Sequence, residues 1–180
     1  MARPPSAREA VLDAFERILI DDGERSATLD ATAREAGVSK GGLLYHFGTK
    51  EALVEGLVVR LDRLVDDDVT AIAHAPEGAV AHFLRTSVAT DSPLDRAIVA
   101  TARLAQGGHP AAQAALRQTR ERWLASLEPH VADPTLALAI SLIGDGLYYN
   151  SALAGEAADD PVGRAQVDEI IALMERLAAD

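Results

Sequence analysis

Residues 37–50 read GVSKGGLLYHFGTK. Two ammonium groups, an imidazole, a phenol and a serine hydroxyl crowd into this stretch around two adjacent glycines, and no acid occurs from Ala36 to Lys50. Such groups offer hydrogen-bond donors and positive charge, which suits them to binding a polyanion. The rest of the chain makes the stretch unusual. Its formal charge is −11, it carries 15 arginines against two lysines, and those two lysines, Lys40 and Lys50, bracket the segment. Charge is also uneven: residues 1–60 hold 8 cations and 10 acids, residues 61–180 hold 9 and 18. A surface that acidic excludes binding nucleic acid everywhere, but permits one small basic face.

Other chemistries find little support. The absence of cysteine removes disulfides, thiolate metal sites and cysteine nucleophiles. His74, His82, His109 and His130 lack metal spacing such as H-E-x-x-H. Asp66, Asp67 and Asp68, consecutive on a helix, point in different directions and are expected to be solvated. No nucleophile–base pair, paired carboxylates or phosphate loop occurs, so a protein that is not an enzyme and needs neither cofactor nor metal is expected. The first residues lack the apolar core of a secretory signal, and no run of 18 apolar residues occurs. The expectation is a soluble, cytoplasmic protein with no membrane partner.

The elements that must position the segment are helical. Strand-like alternation is absent, and Gly, Pro and capping residues punctuate at helical intervals. Ser6 caps a first helix to Asp22, with Val11, Leu12, Phe15, Ile18 and Leu19 as its apolar stripe and Gly23 as its stop. Thr28 caps Leu29 to Ala36, Ser39 caps Lys40 to Phe47, and Thr49 caps a long helix with Leu53, Leu57, Leu61, Leu64 and Ile72 inward. Further helices are predicted at 77–90, 93–106, 110–129, 134–154 and 162–178, with Pro76, Pro93, Pro110, Pro134 and Pro161 at or near their first turns. The fold class is all-α, with nine helices.

Two short capped helices joined by a tight glycine-containing turn form a helix-turn-helix. On a helical wheel Leu43 and Phe47 define the buried face of the second helix. Gly41 and Tyr45 fall opposite, flanked by Gly42 and His46 on one side and Leu44 on the other. Each glycine costs a helix about 1 kcal/mol relative to alanine. That cost makes sense where a backbone must approach another surface closely. The DNA major groove, about 12 Å wide, is such a surface. Ser39 and the first amides make a phosphate-receptive helix start, Lys40 and Lys50 can each neutralise a phosphate, and Tyr45 can meet a sugar, a phosphate or a base edge. The bland alternative is a solvated face with structural aromatics at one edge.

The stretch TLDATAREAGVSKGGLLYHFGTKEAL, residues 28–53, resembles the N-terminal domain of the TetR family of bacterial transcriptional regulators. Thr28, Ala33, Gly37, Val38, Ser39, Gly41, Leu43, His46, Phe47, Lys50 and Leu53 fit the family pattern in register. One departure stands out: the family's usual tyrosine falls on Leu44, and the tyrosine follows at Tyr45. The resemblance implies a nine-helix TetR-like architecture, with residues 1–48 as the DNA-binding domain and residues 49–180 as the regulatory, ligand-binding and dimerisation domain. It also implies a homodimeric repressor on a palindromic double-stranded DNA operator, released by a small-molecule effector. DNA contacts then fall to Thr28, Ser39, Lys40, Gly41, Gly42, Leu44, Tyr45, His46 and Lys50.

The remaining two-thirds are less explicit. The run LALAISLIGDGLYYNSALAG is apolar around most of its helix, so burial on several sides is expected. Val167, Ile170, Ile171, Met174 and Leu177 form a stripe on the last helix, and TetR-like proteins use their last two helices to dimerise. Ile170 and Met174 are therefore expected at the contact. The resemblance implies a ligand cavity, for which Phe83, Trp123, Leu127, Asp145, Tyr148 and Tyr149 are candidate walls, although core packing serves any of the apolar ones as well. Asp145 and Asn150 are polar exceptions in an apolar helix. Few polar residues of buried type occur between 80 and 150, so an apolar or aromatic effector is expected. Two other readings remain: a small helical enzyme, and a protein-interaction module without DNA binding.

Overall fold

The computed structural model describes residues 6–88, 91–154 and 163–179. Among them the elements are α1 (Ala7–Asp21), α2 (Leu29–Glu35), α3 (Lys40–His46), α4 (Lys50–Ala73), α5 (Ala79–Thr86), α6 (Pro93–Gln106), α7 (Pro110–Leu127), α8 (Pro134–Ala154) and α9 (Arg164–Ala179). One turn of 3-10 helix, Glu128–His130, follows α7. No strand occurs among the described residues. The all-α, nine-helix expectation holds.

The capping residues explain the starts. Ser6 accepts from the Glu9 amide, Thr28 from Ala31, Ser39 from Gly42 and Thr49 from Ala52, at 3.1–3.3 Å. Pro93, Pro110 and Pro134 occupy first helical positions, where no N–H is required. Pro161 lies outside the described residues. Two helices are shorter than their sequence pattern. Gly78, at φ +93°, delays α5 to Ala79, and the Thr86 and Ser87 hydroxyls bond back to the His82 and Phe83 carbonyls at its end. Residues 89 and 90, which the predicted helix included, lie outside the described part. Pro129 tightens the end of α7 into the 3-10 turn.

The chain forms two compact units. The first holds residues up to Leu64 together with Pro93–Gln118; the second holds Val65–Ser92 and the chain from Thr119 onward. In the first, α1 packs on α2, α3 and α6. Its whole predicted stripe, Val11, Leu12, Phe15, Ile18 and Leu19, is buried, and each such side chain stabilises the fold by about 1.5–3 kcal/mol. On α4, Leu53, Leu57, Leu61 and Ile72 are buried as expected, but Leu64 is only half-buried and Val65 replaces it. The four-residue step from Leu53 through Leu57 and Leu61 lands on Val65, which is the physical reason.

In the second unit α5 packs against α8 and α9. Phe83, Leu84, Leu127, Ile140, Leu147, Val167, Ile171 and Met174 share its core. Burial of α8 on several sides does not hold in the single chain, because Leu138, Leu142 and Tyr149 are exposed along one stripe. The α9 stripe also divides. Val167, Ile171 and Met174 face the chain's own core, whereas Leu173 and Leu177 face outward. Met174 therefore belongs to the fold, and Ile170 packs half-buried against the same core. Among the described residues no helix is long and apolar enough to cross a membrane.

Candidate nucleic-acid interface and effector region

The α2–α3 pair is assembled from short-range hydrogen bonds. The Thr32 hydroxyl donates to the Thr28 carbonyl at 2.8 Å, and the Val38 amide closes the turn onto the Ala33 carbonyl at 3.0 Å. Gly37, at φ +65°, supplies the left-handed residue that stops α2. Leu43 and Phe47 are buried. The Phe47 ring lies so close to Gly56 of α4 that a Cβ there would come 2.7 Å from Cε1. The Arg8 guanidinium sits 5.1 Å from the centroid of the same ring, within cation–π range. So α3 is clamped by its inner face.

The outer face carries the groups expected there. Tyr45 is 86% exposed, and Leu44, Gly41, Gly42 and His46 are exposed with it. The Tyr45 and His46 rings meet edge-on, 5.1 Å between centroids. Neither glycine has a positive φ, so helix geometry does not demand them. At Gly41 an added Cβ meets nothing within 4 Å; at Gly42 it would crowd the capping Ser39 Oγ at 3.2 Å.

The two lysines are less free than the sequence suggests. Lys40 pairs with Asp30 at 2.9 Å in the open. Lys50 donates to the Glu24 backbone carbonyl at 3.0 Å and lies 3.8 Å from Glu24 Oε1. Elsewhere in this unit, Arg60 of α4 gathers three acids of α1: Glu9 at 2.6 Å, Asp13 at 2.7 Å and Glu16 at 3.0 Å. Glu16 is 4% exposed, and its contact lacks the alignment of a hydrogen bond. Burial pushes the Glu16 carboxyl up, against the pull of Arg60. Burial also opposes ionisation of Glu9, but its bonds and charges with Arg60 and Arg8 hold it below the usual carboxylate range. Nothing in the sequence pattern singled out Arg60. The signal was the i, i+4, i+7 spacing of Glu9, Asp13 and Glu16 beside an apolar stripe.

The candidate effector residues separate. Phe83 and Trp123 meet edge-to-face, 6.3 Å between centroids, and Leu127 is fully buried in the same core. Asp145 pairs with Arg120 at 3.4 Å. Tyr148 is half-buried, Tyr149 is 64% exposed, and the Asn150 amide donates to the Gly146 carbonyl. The expectation of a solvated Asp66–Asp68 triplet holds for Asp66 and Asp67, which are exposed, and fails for Asp68. Asp68 turns inward and accepts the Trp123 indole N–H at 2.8 Å, while Asp66 pairs with Arg122. Burial pushes the Asp68 carboxyl up, opposed by the Trp123 hydrogen bond and the His82 charge. An open hollow of about 320 Å³ in this unit is lined by Gly78, Ala79, Val80, His130, Glu175 and Ala178, none of them a sequence candidate.

Residues 11–57 match the family described as bacterial regulatory proteins, tetR family, and residues 77–175 match the tetracyclin repressor-like C-terminal domain. The chain belongs to the TetR family. Among curated relatives, the HTH-type transcriptional regulator BetI of Rhizobium meliloti (strain 1021) is 36% identical over 90 residues, 48% of this chain and 44% of that protein. The HTH-type regulator AlkX of Mycobacterium tuberculosis is 39% identical over 61 residues, covering 33% of this chain and 29% of AlkX. The matched stretch thus spans less than half of either relative. The protein SCO7518 of Streptomyces coelicolor A3(2) shares the fold over 95% of this chain and 99% of its own, at TM-score 0.67 and 26% identity. The multidrug binding protein EbrR, in complex with malachite green, superposes at TM-score 0.69 and 22% identity over 97% and 99% of the two chains, a likeness of fold alone. As a TetR-family transcriptional regulator the chain carries a DNA-binding helix-turn-helix.

Proposed function

We propose that this TetR-family chain is a ligand-responsive repressor that binds a palindromic operator as a homodimer. The observation that carries the reading is the outer face of α3, where Tyr45 stands 86% exposed beside two glycines and opposite the buried Leu43 and Phe47. Residues 1–48 read DNA, and residues 49–180 dimerise and respond to effector. Gly41, Gly42, Leu44, Tyr45 and His46 enter the major groove. Thr28, Ser39, Lys40 and Lys50 face phosphate. The Lys40–Asp30 pair is exposed and worth little, so a phosphate can replace Asp30.

The exposed stripe of Leu138, Leu142, Tyr149, Leu173 and Leu177 on α8 and α9 supports dimerisation. The effector is a small apolar or aromatic molecule that separates side chains among Phe83, Trp123, Leu127, Asp145 and Tyr148; Tyr149, being outside, serves the dimer better than the cavity. Such a ligand releases the operator by binding more tightly to a dimer whose recognition helices no longer sit about 34–36 Å apart. Selection of bound sequences from random duplex DNA tests the proposal. An inverted repeat is the expected result. Failure to enrich any sequence, or enrichment of a single unrepeated half-site, sinks it.

A further inference from the structure

Lys50 is the better anchored of the two lysines, and its anchor is made by one residue. The ammonium donates to the Glu24 main-chain carbonyl at 3.0 Å while the carboxylate of the same residue stands 3.8 Å away. Both side chains are only about one-third exposed, 34% each. Glu24 occupies the turn after α1, where its carbonyl also accepts the Ala27 amide at 3.3 Å. The other carboxylate oxygen lies over Gly107, in the turn between α6 and α7: a Cβ built on that glycine would come 1.8 Å from Glu24 Oε2. Glycine at 107 thus leaves the room that lets the carboxylate stay beside Lys50.

We propose that Glu24 is a positioning residue that sets how strongly Lys50 engages the DNA backbone. Its carbonyl fixes the ammonium in place, and its carboxylate offsets the charge. The inference rests on the reading that Lys50 faces phosphate. An ammonium held two-thirds buried beside a carboxylate displaces few of the cations condensed on DNA, so its share of the salt dependence is muted, whereas the exposed Lys40–Asp30 pair opens to phosphate. Neutralising or displacing the carboxylate restores that share. Gly107 controls the same quantity without any change of charge, because a methyl there displaces chiefly the flexible end of Glu24, while the Leu104 carbonyl at 3.3 Å must give by only a few tenths of an ångström. The α6–α7 turn thereby bears on a DNA contact through a single side chain.

The test follows binding of the full chain to duplex DNA by fluorescence anisotropy, between about 50 and 200 mM salt, for wild type, Glu24→Gln, Gly107→Ala, Lys50→Ala and Glu24→Gln with Lys50→Ala. Glu24→Gln and Gly107→Ala are each expected to steepen log K against log salt by about 0.9, so that affinity falls about 3.5-fold more across that range than for wild type. In the Lys50→Ala background the Glu24 change is expected to do nothing. Thermal unfolding of each variant checks that it is folded. An unchanged slope in both Glu24→Gln and Gly107→Ala, or a gain that persists without Lys50, overturns the proposal while leaving DNA binding intact. A wild type that binds no duplex overturns the DNA reading itself.

Discussion

Tyr45 and Lys40 differ in what they are placed to do, and their substitutions should differ accordingly. Tyr45 has no neighbour holding it back from the outer face apart from His46. Tyr45→Ala is expected to lower preference for the operator by about 1–3 kcal/mol while sparing random duplexes. Lys40→Ala should weaken all duplexes alike and flatten the salt plot by about one unit. Competition binding on both kinds of duplex separates these results; equal losses on both for Tyr45→Ala would remove it from base reading. Arg60 offers a stability test. Arg60→Met leaves Glu9, Asp13 and Glu16 without their shared cation and should cost about 3–5 kcal/mol in urea unfolding. The Glu16 carboxyl is raised by burial, so its folded form favours the proton. Its contribution is complete below the ordinary carboxylate pKa and declines as pH rises through the raised one. Glu16→Gln should abolish that decline, and a pH profile identical to wild type would contradict this.

At the scale of elements, glycine acts in opposite senses on neighbouring helices. Gly56 of α4 is buried against Phe47 and Leu12, which a Cβ would meet at 2.7 and 3.1 Å. Gly56→Ala gains about 1 kcal/mol of helix propensity but incurs overpacking of about 1–3 kcal/mol, so net destabilisation is expected in thermal melts. A more stable Gly56→Ala protein would show that α3 can shift outward freely. A Cβ at Gly41 meets nothing within 4 Å, and Gly41→Leu should leave the melting temperature intact or raised while blocking the operator; it is a cleaner probe than Gly42, whose Cβ crowds the Ser39 cap. The helix-turn-helix was legible because its caps, turn glycine and buried pair act within a few residues of one another. Asp68 was not, because its partner Trp123 lies far along the chain and three aspartates in a row look like solvated charge. The split of α9 was missed for a related reason: Leu177 and Met174 share a stripe on the wheel, and only the packing of α5 and α8 decides which of them the core takes.

For the molecule as a whole, the outward stripe on α8 and α9 should make stability depend on protein concentration. Replacing Leu142 and Leu173, both exposed, with glutamate is expected to yield folded monomers by sedimentation, whereas a charge at Met174 should unfold the chain instead. A dimer that survives both glutamates would place the interface elsewhere. The placement of the two lysines has one more consequence, in the realm of covalent labelling. Apart from the terminal amine, a chain with 15 arginines and two lysines offers amine-directed reagents only Lys40 and Lys50. Lys40, with 61% of its side chain exposed, should acylate ahead of Lys50 at 34%. A reagent that is indiscriminate on most proteins therefore becomes, on this one, a footprint of the α3 region, and the ratio of the two adducts reports whether that surface is open or covered.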